Sequence, residues 1–298
     1  MKQAFIKLHL SILIAGFTGI FGKLISLNEG VLVWYRVLIT SIVFYFILLA
    51  TKKLPRISRQ EILKIGGVGV LLVLHWIFFY GSIKASNVSV GVVCFSAVGF
   101  FTAMLEPLIN RHKVSYKELL FSLVTVCGIL LIFQFDVQYR MGIIFGIISS
   151  AFCALFTIMN KRIGANHNSS SMLLYEMIGG FVFMSCILPF YLHFIPVESL
   201  IPSIPDWIYL FLLSTVCTIG LCLLQIQALK HISAFTVNLS YNLEPIYSII
   251  LAIIIFGEAK ELTITFFIGL GIIILSVLMQ MFDVSRQRTG KKLSPSET

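Results

Sequence analysis

The residues most able to carry chemistry lie in an apolar stretch, SYNLEPIYSIILAIIIFGE, at 240–258. There Glu244 is followed directly by Pro245. A carboxylate in hydrocarbon costs about 2.5–3.5 kcal/mol on insertion scales, so an acid in such a helix usually has a function. Pro245 has no backbone donor and loosens a helix at this point. One broad arc at the helical period holds Ser240, Tyr241, Glu244, Tyr247 and Ser248. This arc predicts a helix that turns a polar face towards a watery cavity.

A small set of side chains could meet a solute inside that cavity. The candidates for the substrate pathway are Arg36, His75, Trp76, Phe79, Glu176, Asn238, Tyr241 and Glu244. Glu244 is also the candidate for binding a proton or another coupling cation. Several of them have a structural alternative. Arg36 could snorkel to the headgroups, the aromatic stripe around His75 could serve packing, and Glu244 could be an acid kept neutral by a polar neighbour.

The elements that must position these residues are membrane helices. Hydrophobic residues make up 58% of the 298 residues and charged residues only 12%, far below the quarter typical of soluble domains. Ten apolar windows are long enough to cross the bilayer. They cover about 4–25, 31–51, 61–84, 88–110, 117–135, 141–162, 170–195, 206–230, 240–258 and 261–282. The fold class predicted is therefore an all-α polytopic membrane protein with ten transmembrane helices.

The distribution of the basic residues along the chain predicts its orientation in the membrane. Most of the 22 lysines and arginines fall in one alternate set of links between the windows, together with both termini. By the positive-inside rule, both termini are cytoplasmic and the number of spans is even. The net charge of +9 therefore needs no nucleic-acid partner. The partners expected are a small-molecule substrate and the lipid bilayer. Whether two copies of the chain form a homodimer is left open by the sequence.

Enzyme chemistry has little support in the sequence. The six cysteines fall within predicted spans without a CxxC, which favours small buried residues over a disulfide or a metal site. An intramembrane aspartyl protease needs two facing aspartates, but Asp136, Asp206 and Asp283 all lie at span ends. Neither H-E-x-x-H nor G-x-S-x-G occurs. We expect no catalytic residues, no metal and no cofactor.

The chain reads as two copies of one unit. Lys23 aligns with Lys161, Tyr35 with Tyr175, and Lys84 with Lys230, at offsets of similar size. The predicted copies are residues 1–136 and 137–283, each with five spans, followed by a disordered cytoplasmic tail at 284–298. Because five is odd, the second copy must enter the membrane inverted, with a substrate site near the midplane between the copies.

Two pairings in this alignment concern the candidate site. Arg36 aligns with Glu176, so the two are candidate gate residues on opposite sides of the cavity. Glu244 aligns with Val98 and is therefore particular to the second copy.

The chain resembles the drug/metabolite transporter superfamily, in its ten-helix branch with two EamA domains. The resemblance rests on EPIYSIILAIIIFGE at 244–258, its first-copy counterpart SAVGFFTAMLEPLINRHK at 96–113, and the IK and LK ends of the third and eighth helices. The first copy departs from this pattern at Gly99 and at Arg111-His112. The resemblance implies secondary transport, often export of amino acids or related metabolites from bacteria.

The function expected is thus alternating-access export of a small metabolite, amino acid or related compound across the bacterial inner membrane, with protons as the candidate driving ion. An uptake carrier and a flippase for lipids or amphipaths share the same scaffold and stay open as alternatives. An intramembrane enzyme is disfavoured.

Overall fold

A computed structural model describes residues 2–133, 139–195, 197, 199–260 and 262–293, and this described part of the chain contains helices and no strands. The α-helices are α1 Lys2–Leu24, α2 Glu29–Ala50, α3 Arg59–Ala85, α4 Val88–Phe95, α5 Val98–Asn110, α6 Tyr116–Phe133, α7 Arg140–Gly164, α8 Ser169–Phe194, α9 Ile204–Ser214, α10 Leu221–Leu229, α11 Ala234–Tyr241, α12 Glu244–Phe256 and α13 Ile264–Leu293. A π-helical segment, Thr215–Gly220, joins α9 to α10.

Eight spans within the described residues are long and apolar enough to cross a membrane. Five of them are the single helices α1, α2, α3, α7 and α8. The other three each contain two helices: Val88–Asn110, Ile204–Leu229 and Ala234–Phe256. The two remaining expected spans correspond to α6 and to α13, whose apolar part is Ile264–Ser276. The all-helical membrane fold is confirmed, and the count of ten spans stays a prediction.

Two observed spans, Val88–Asn110 and Ala234–Phe256, are interrupted near their centres, and the second begins at Ala234, before the predicted start at 240. In the first, Ser96 and Ala97 donate to carbonyls only three residues back, and this tight turn separates α4 from α5. In the second, Asn242 and Leu243 do the same between α11 and α12. Pro245 follows within the first turn of α12, where a missing N–H is tolerated. The helix therefore restarts at Glu244 instead of merely bending there.

The interruption changes which side chains of the predicted polar arc face inward. Tyr241 and Glu244 are buried, and Ser248 donates to the carbonyl oxygen of Gly16 at 3.0 Å. Tyr247, however, is 39% exposed. Its inclusion in the inward-facing arc was wrong, because the tight turn changes the helical phase between α11 and α12.

Equivalent contacts recur in the two predicted copies. A capping box of Ser58 and Glu61 begins α3, and one of Ser203 and Asp206 begins α9. The Lys84 ammonium donates to the carbonyl oxygen of Ile25 at 3.0 Å, and the aligned Lys230 donates to that of His167 at 2.7 Å. Each lysine thus links the end of one span to the connection that follows the first span of its own copy.

The contacts between helix ends define two ends of the bundle. Asp206, at the start of α9, accepts from the backbone N–H of Ser26, just past α1, at 2.8 Å. Lys161, near the end of α7, donates to Leu229, the last residue of α10, at 2.9 Å. Because α9 and α10 belong to one span, α1 and α7 finish at opposite ends. We call these the Lys23 end and the Lys161 end.

Three other expectations concern the C-terminal tail, the boundary between the copies and the cysteines. Helix α13 continues to Leu293, so residues 284–293 have helical backbone where we expected a disordered tail, and 294–298 lie outside the described residues. The predicted boundary between the copies, at 136–137, lies outside them too. Cys127 and Cys186 are exposed on the outside of the bundle, contrary to the expectation that every cysteine is buried.

Candidate functional site

A cavity of about 60 Å³ lies inside the bundle, between helices of both copies. It has room for a few water molecules. The predicted pathway residues that line it are Arg36, His75, Trp76, Phe79, Asn238, Tyr241 and Glu244. The structure therefore brings together side chains from α2, α3, α11 and α12 that are far apart in sequence.

Arg36 is the cationic group of the cavity. Its side chain is 2% exposed, so the snorkelling alternative does not describe it. Its Nε donates to Thr218 Oγ1 at 2.8 Å, one Nη to Tyr80 Oη at 2.6 Å, and the other Nη to the carbonyl oxygen of Cys217 at 3.2 Å. All three acceptors are formally neutral. Within the described residues, no carboxylate lies within 4 Å of the guanidinium.

The π-helical segment supplies two of these acceptors. Thr218 and Cys217 both lie in Thr215–Gly220, where the wider helical turn changes the i→i+4 pairing of the carbonyls. Trp76 covers one face of Arg36, with the guanidinium carbon 3.6 Å from the ring centroid. This cation–π contact and the three hydrogen bonds fix the plane of the guanidinium.

His75 and its aromatic neighbours form the adjoining wall. The Nδ1 of His75 lies 2.8 Å from Ser149 Oγ and 3.1 Å from the Ser149 carbonyl oxygen, so α7 fixes the orientation of the ring. The ring centroid lies 5.8 Å from that of Phe79 and 5.3 Å from that of Phe95. The aromatic stripe of α3 thus serves both packing and the cavity lining.

Asn238 and Tyr241 on α11 are each held by hydrogen bonds. The Asn238 amide donates to Thr102 Oγ1 at 2.8 Å, and its oxygen accepts from Thr157 Oγ1 at 3.0 Å. Tyr241 Oη donates to Ser11 Oγ at 3.1 Å. These bonds link α11 to α5, α7 and α1, so the part of the cavity wall that α11 forms has a defined geometry.

Glu244 is the acidic group of the cavity. It is the first residue of α12 and is 3% exposed. Neither carboxyl oxygen has a hydrogen-bond partner among the described residues, although the side chain lines the cavity. A solute or a proton entering the cavity would therefore find an available acceptor.

Glu176 is the one predicted pathway residue that the structure places away from the cavity lining. It is fully buried on α8, where its Oε1 accepts from the Asn160 amide at 2.6 Å. The backbone of Glu176 also packs directly against Gly69 of α3. Its surroundings are those of an acid embedded between packed helices.

Sequence reasoning missed part of the lining. The further lining residues are Ala15, Thr18, Leu72, Phe95, Cys153, Phe156, Leu221, Cys222 and Gln225. Most are apolar, and an apolar side chain that faces a cavity has the same sequence pattern as one that faces another helix. Gln225 did carry a signal, since it is an amide within an apolar helix.

No cluster of three or more metal-ligating side chains occurs in the part of the chain that the structure describes. What the cavity does offer is one carboxyl group and one guanidinium, with aromatic and amide groups between them. A multi-helix membrane protein with this polar site between two repeated units belongs to the class of membrane transport proteins.

The comparison with known families agrees with this class. The model of the EamA-like transporter family matches the chain twice, over residues 4–134 and again over 140–282. The chain belongs to this family.

Individual relatives are distant but extend over most of the chain. An "uncharacterized transporter YxxF" of Bacillus subtilis (strain 168) is 24% identical, covering 96% of this chain and 91% of the relative. "GDP-fucose transporter 1" of Dictyostelium discoideum is 26% identical, covering 76% of this chain and 64% of the relative. One solved crystal structure superposes with a TM-score of 0.64 at 14% identity, covering 96% of this chain and 99% of the other, and supports the fold alone.

Proposed function

We propose that this protein is a secondary transporter that exports a small metabolite, an amino acid or a related compound across the bacterial inner membrane by alternating access. Membership of the EamA-like transporter family supports transport in place of catalysis. The substrate, the outward direction and the coupling ion are parts of the proposal.

The inverted-repeat arrangement of ten spans belongs to the same proposal. It is supported by the helix ends, because α1 finishes at the Lys23 end and its counterpart α7 at the Lys161 end. Two oppositely oriented units around a shared site can exchange conformations, so that the site faces each side of the membrane in turn.

The observation on which the proposal mainly rests is Glu244. Glu244 faces the cavity without a hydrogen-bond partner among the described residues, and Arg36 is held there by neutral acceptors. A solute with an amino group and an acidic group would meet an opposite charge at each. Because the cavity volume is only about 60 Å³, a solute larger than a few waters requires the lining helices to move apart.

We propose protons as the coupling ion and Glu244 as their carrier. The first experiment compares metabolites in the media of cells that overexpress or lack the protein, which identifies the solute and the direction of flux. The second measures flux of that solute in proteoliposomes under an imposed pH gradient. Glu244→Gln should abolish pH-driven flux while the protein still elutes as a folded species in size-exclusion chromatography.

Glu176→Gln is the matched control. It makes the same chemical change in an equally buried acid that does not line the cavity, so pH-driven flux should persist. Unchanged pH-driven flux in Glu244→Gln would remove Glu244 from the coupling mechanism. Equal loss in both variants would mean that removing any buried acid inactivates the protein.

A further inference from the structure

The turn that follows α12 makes a dense polar contact at the Lys23 end. Gly257 ends α12 in the left-handed conformation, with φ of +69°, and this directs Glu258 back towards the bundle. Glu258 is 0% exposed. Its carboxylate accepts from Lys23 Nζ at 2.8 Å, from the backbone N–H groups of Val88 at 3.1 Å and Ser89 at 3.0 Å, and from Ser89 Oγ at 2.6 Å. We call this set of bonds the Glu258 contact.

The Glu258 contact joins the two copies. Lys23 lies at the end of α1, and Val88 and Ser89 form the start of α4, all in the first copy, whereas Glu258 belongs to the second. The carboxylate satisfies free N–H groups of the first turn of α4, where the helix dipole favours negative charge. The end of α12 is thereby bonded across the bundle to the start of α4.

A related but sparser contact lies at the Lys161 end. Glu106, near the end of α5, accepts from the backbone N–H of Phe235 at the start of α11, at 3.2 Å. Glu106 belongs to the first copy and Phe235 to the second, so this bond also joins the copies. Lys161 lies at the same end and donates to the carbonyl oxygens of Leu229 and Ile232. We call the bond to Phe235 the Glu106 contact.

The two contacts are reciprocal. The interrupted span α4–α5 and the interrupted span α11–α12 each receive, at the N-terminal turn, a carboxylate from the far end of the other. They differ in strength, since the Glu258 contact has four donors including a lysine, and the Glu106 contact has one backbone donor at a longer distance.

Helix α12 connects the Glu258 contact with the cavity. Glu244 is its first residue, and Glu258 follows its last turn. At 1.5 Å per residue, the 13 residues of α12 make a helix roughly 20 Å long between Glu244 and the turn that carries Glu258. A movement of α12 that breaks the Glu258 contact therefore also shifts Glu244.

From this arrangement we propose that Glu258 closes the Lys23 end of the cavity, that Glu106 closes the Lys161 end, and that the cavity opens at one end only when the contact at that end breaks while the other contact is kept. Both contacts are formed in the described conformation, and the contact at the Lys23 end is the more extensive of the two. This inference rests on the proposed alternating-access function and adds the residues that control access.

Native cysteines provide the test. Cys153 and Cys222 line the cavity, whereas Cys127 and Cys186 are exposed on the outside of the bundle. A reporter chain with Cys127→Ser and Cys186→Ser is reacted with a membrane-impermeant methanethiosulfonate, applied to one membrane face at a time. The same chain with Cys153→Ala and Cys222→Ala added should lose the reaction and is the control for cavity labelling.

Two marker variants assign the faces. Ser199 lies in the exposed connection before α9, at the Lys23 end, and Lys113 in the exposed connection after α5, at the Lys161 end. With the cavity cysteines removed, Ser199→Cys and Lys113→Cys should each react from one face only. This shows which face corresponds to which end of the bundle.

In the reporter chain, Glu258→Ala should raise the labelling rate from the Lys23 face by roughly tenfold, as expected from losing hydrogen bonds to a charged group. Glu106→Ala should raise it from the Lys161 face instead. If Glu258→Ala does not fold, Glu258→Gln and Ser89→Ala each remove part of the contact and should give a smaller rise from the same face.

A selective rise from the Lys23 face supports the proposal. No rise in any Glu258 or Ser89 variant, or an equal rise from both faces, overturns it. The readout needs no transported solute, so the two proposals can fail separately. Selective labelling without measurable flux would support the closing role of Glu258 and refute the proposed transport. Flux without selective labelling would support transport and refute the closing role of Glu258.

Discussion

The close packing between α3 and α8 gives a sharp test of the fold. Gly69 of α3 lies directly against the backbone of Glu176 of α8. A Cβ at Gly69 would overlap the carbonyl oxygen of Glu176 and would lie 2.6 Å from its carbonyl carbon and 2.7 Å from its Cα. Carbon atoms in contact are normally about 3.5–4.0 Å apart. The Gly69→Ala variant therefore forces the two helices about 1 Å apart.

The magnitude follows from a comparison within the same helix. Gly67 lies two residues before Gly69 and therefore on nearly the opposite side of α3. A Cβ at Gly67 would meet nothing within 4 Å. Both substitutions gain about 1 kcal/mol of helix propensity, so this term cancels between them. The steric term remains, and overpacking typically costs about 1–3 kcal/mol. We expect Gly69→Ala to be less stable than Gly67→Ala by about 2 kcal/mol.

The assay is equilibrium unfolding of purified protein in mixed micelles, followed by circular dichroism as the denaturing detergent is increased. Gly69→Ala should unfold at a lower detergent fraction than the parent protein, and Gly67→Ala at an equal or higher one. If the two alanine variants unfold together, α3 and α8 are not packed at Gly69, and the inter-copy contact described here is incorrect.

Two further predictions concern the charged contacts. Arg36→Lys keeps the positive charge but cannot reproduce three planar hydrogen bonds and the contact with Trp76. The affinity for the solute, measured by equilibrium binding, should therefore fall roughly tenfold while size-exclusion elution stays unchanged. An unaltered affinity would mean that solute binding does not use the guanidinium geometry. Burial alone would raise the pKa of Glu258, but the hydrogen bonds from Lys23 and from the side chain and backbone of Ser89 outweigh it and hold this pKa below its usual range. A lowered native pKa stabilises the fold above the unfolded value of about 4.3 and loses this effect as the pH falls through the native value. The thermal stability difference between the parent protein and Glu258→Gln should thus be constant from pH 7 to pH 5 and shrink below about pH 4; a difference that grows in acid would contradict this assignment.

The membrane fold was accessible from the sequence because hydrophobic length is a strong signal. Apolar windows located the helices, and the alignment of Lys84 with Lys230 anticipated two equivalent bonds that the structure contains. The interruptions at Ser96–Ala97 and Asn242–Leu243 were not predicted as helix ends. Gly99 and Pro245 each lie two residues beyond the break, but both residue types also occur within continuous membrane helices, so Pro245 was interpreted as loosening one helix instead of starting another.

The candidate site was partly accessible for the same reason. A polar group in an apolar helix is costly, which marked Arg36, His75 and Glu244. The same cost also marked Glu176, and the sequence cannot distinguish an acid that faces a cavity from one bonded to Asn160 on a neighbouring helix. The role of Glu258 depended on a contact with Ser89, 169 residues away, which no local pattern encodes.

The π-helical turn at Thr215–Gly220 has an electrical consequence. By offering Arg36 a hydroxyl and a carbonyl oxygen, it solvates the guanidinium without neutralising it. Arg36 and Glu244 together then give the cavity lining a formal charge of +1 when Glu244 is protonated and zero when it is ionised. If Glu244 carries protons as proposed, each proton that binds or leaves there switches the chamber between anion-attracting and electrically balanced. A carboxylate in place of Thr218 would neutralise Arg36 and remove that switch.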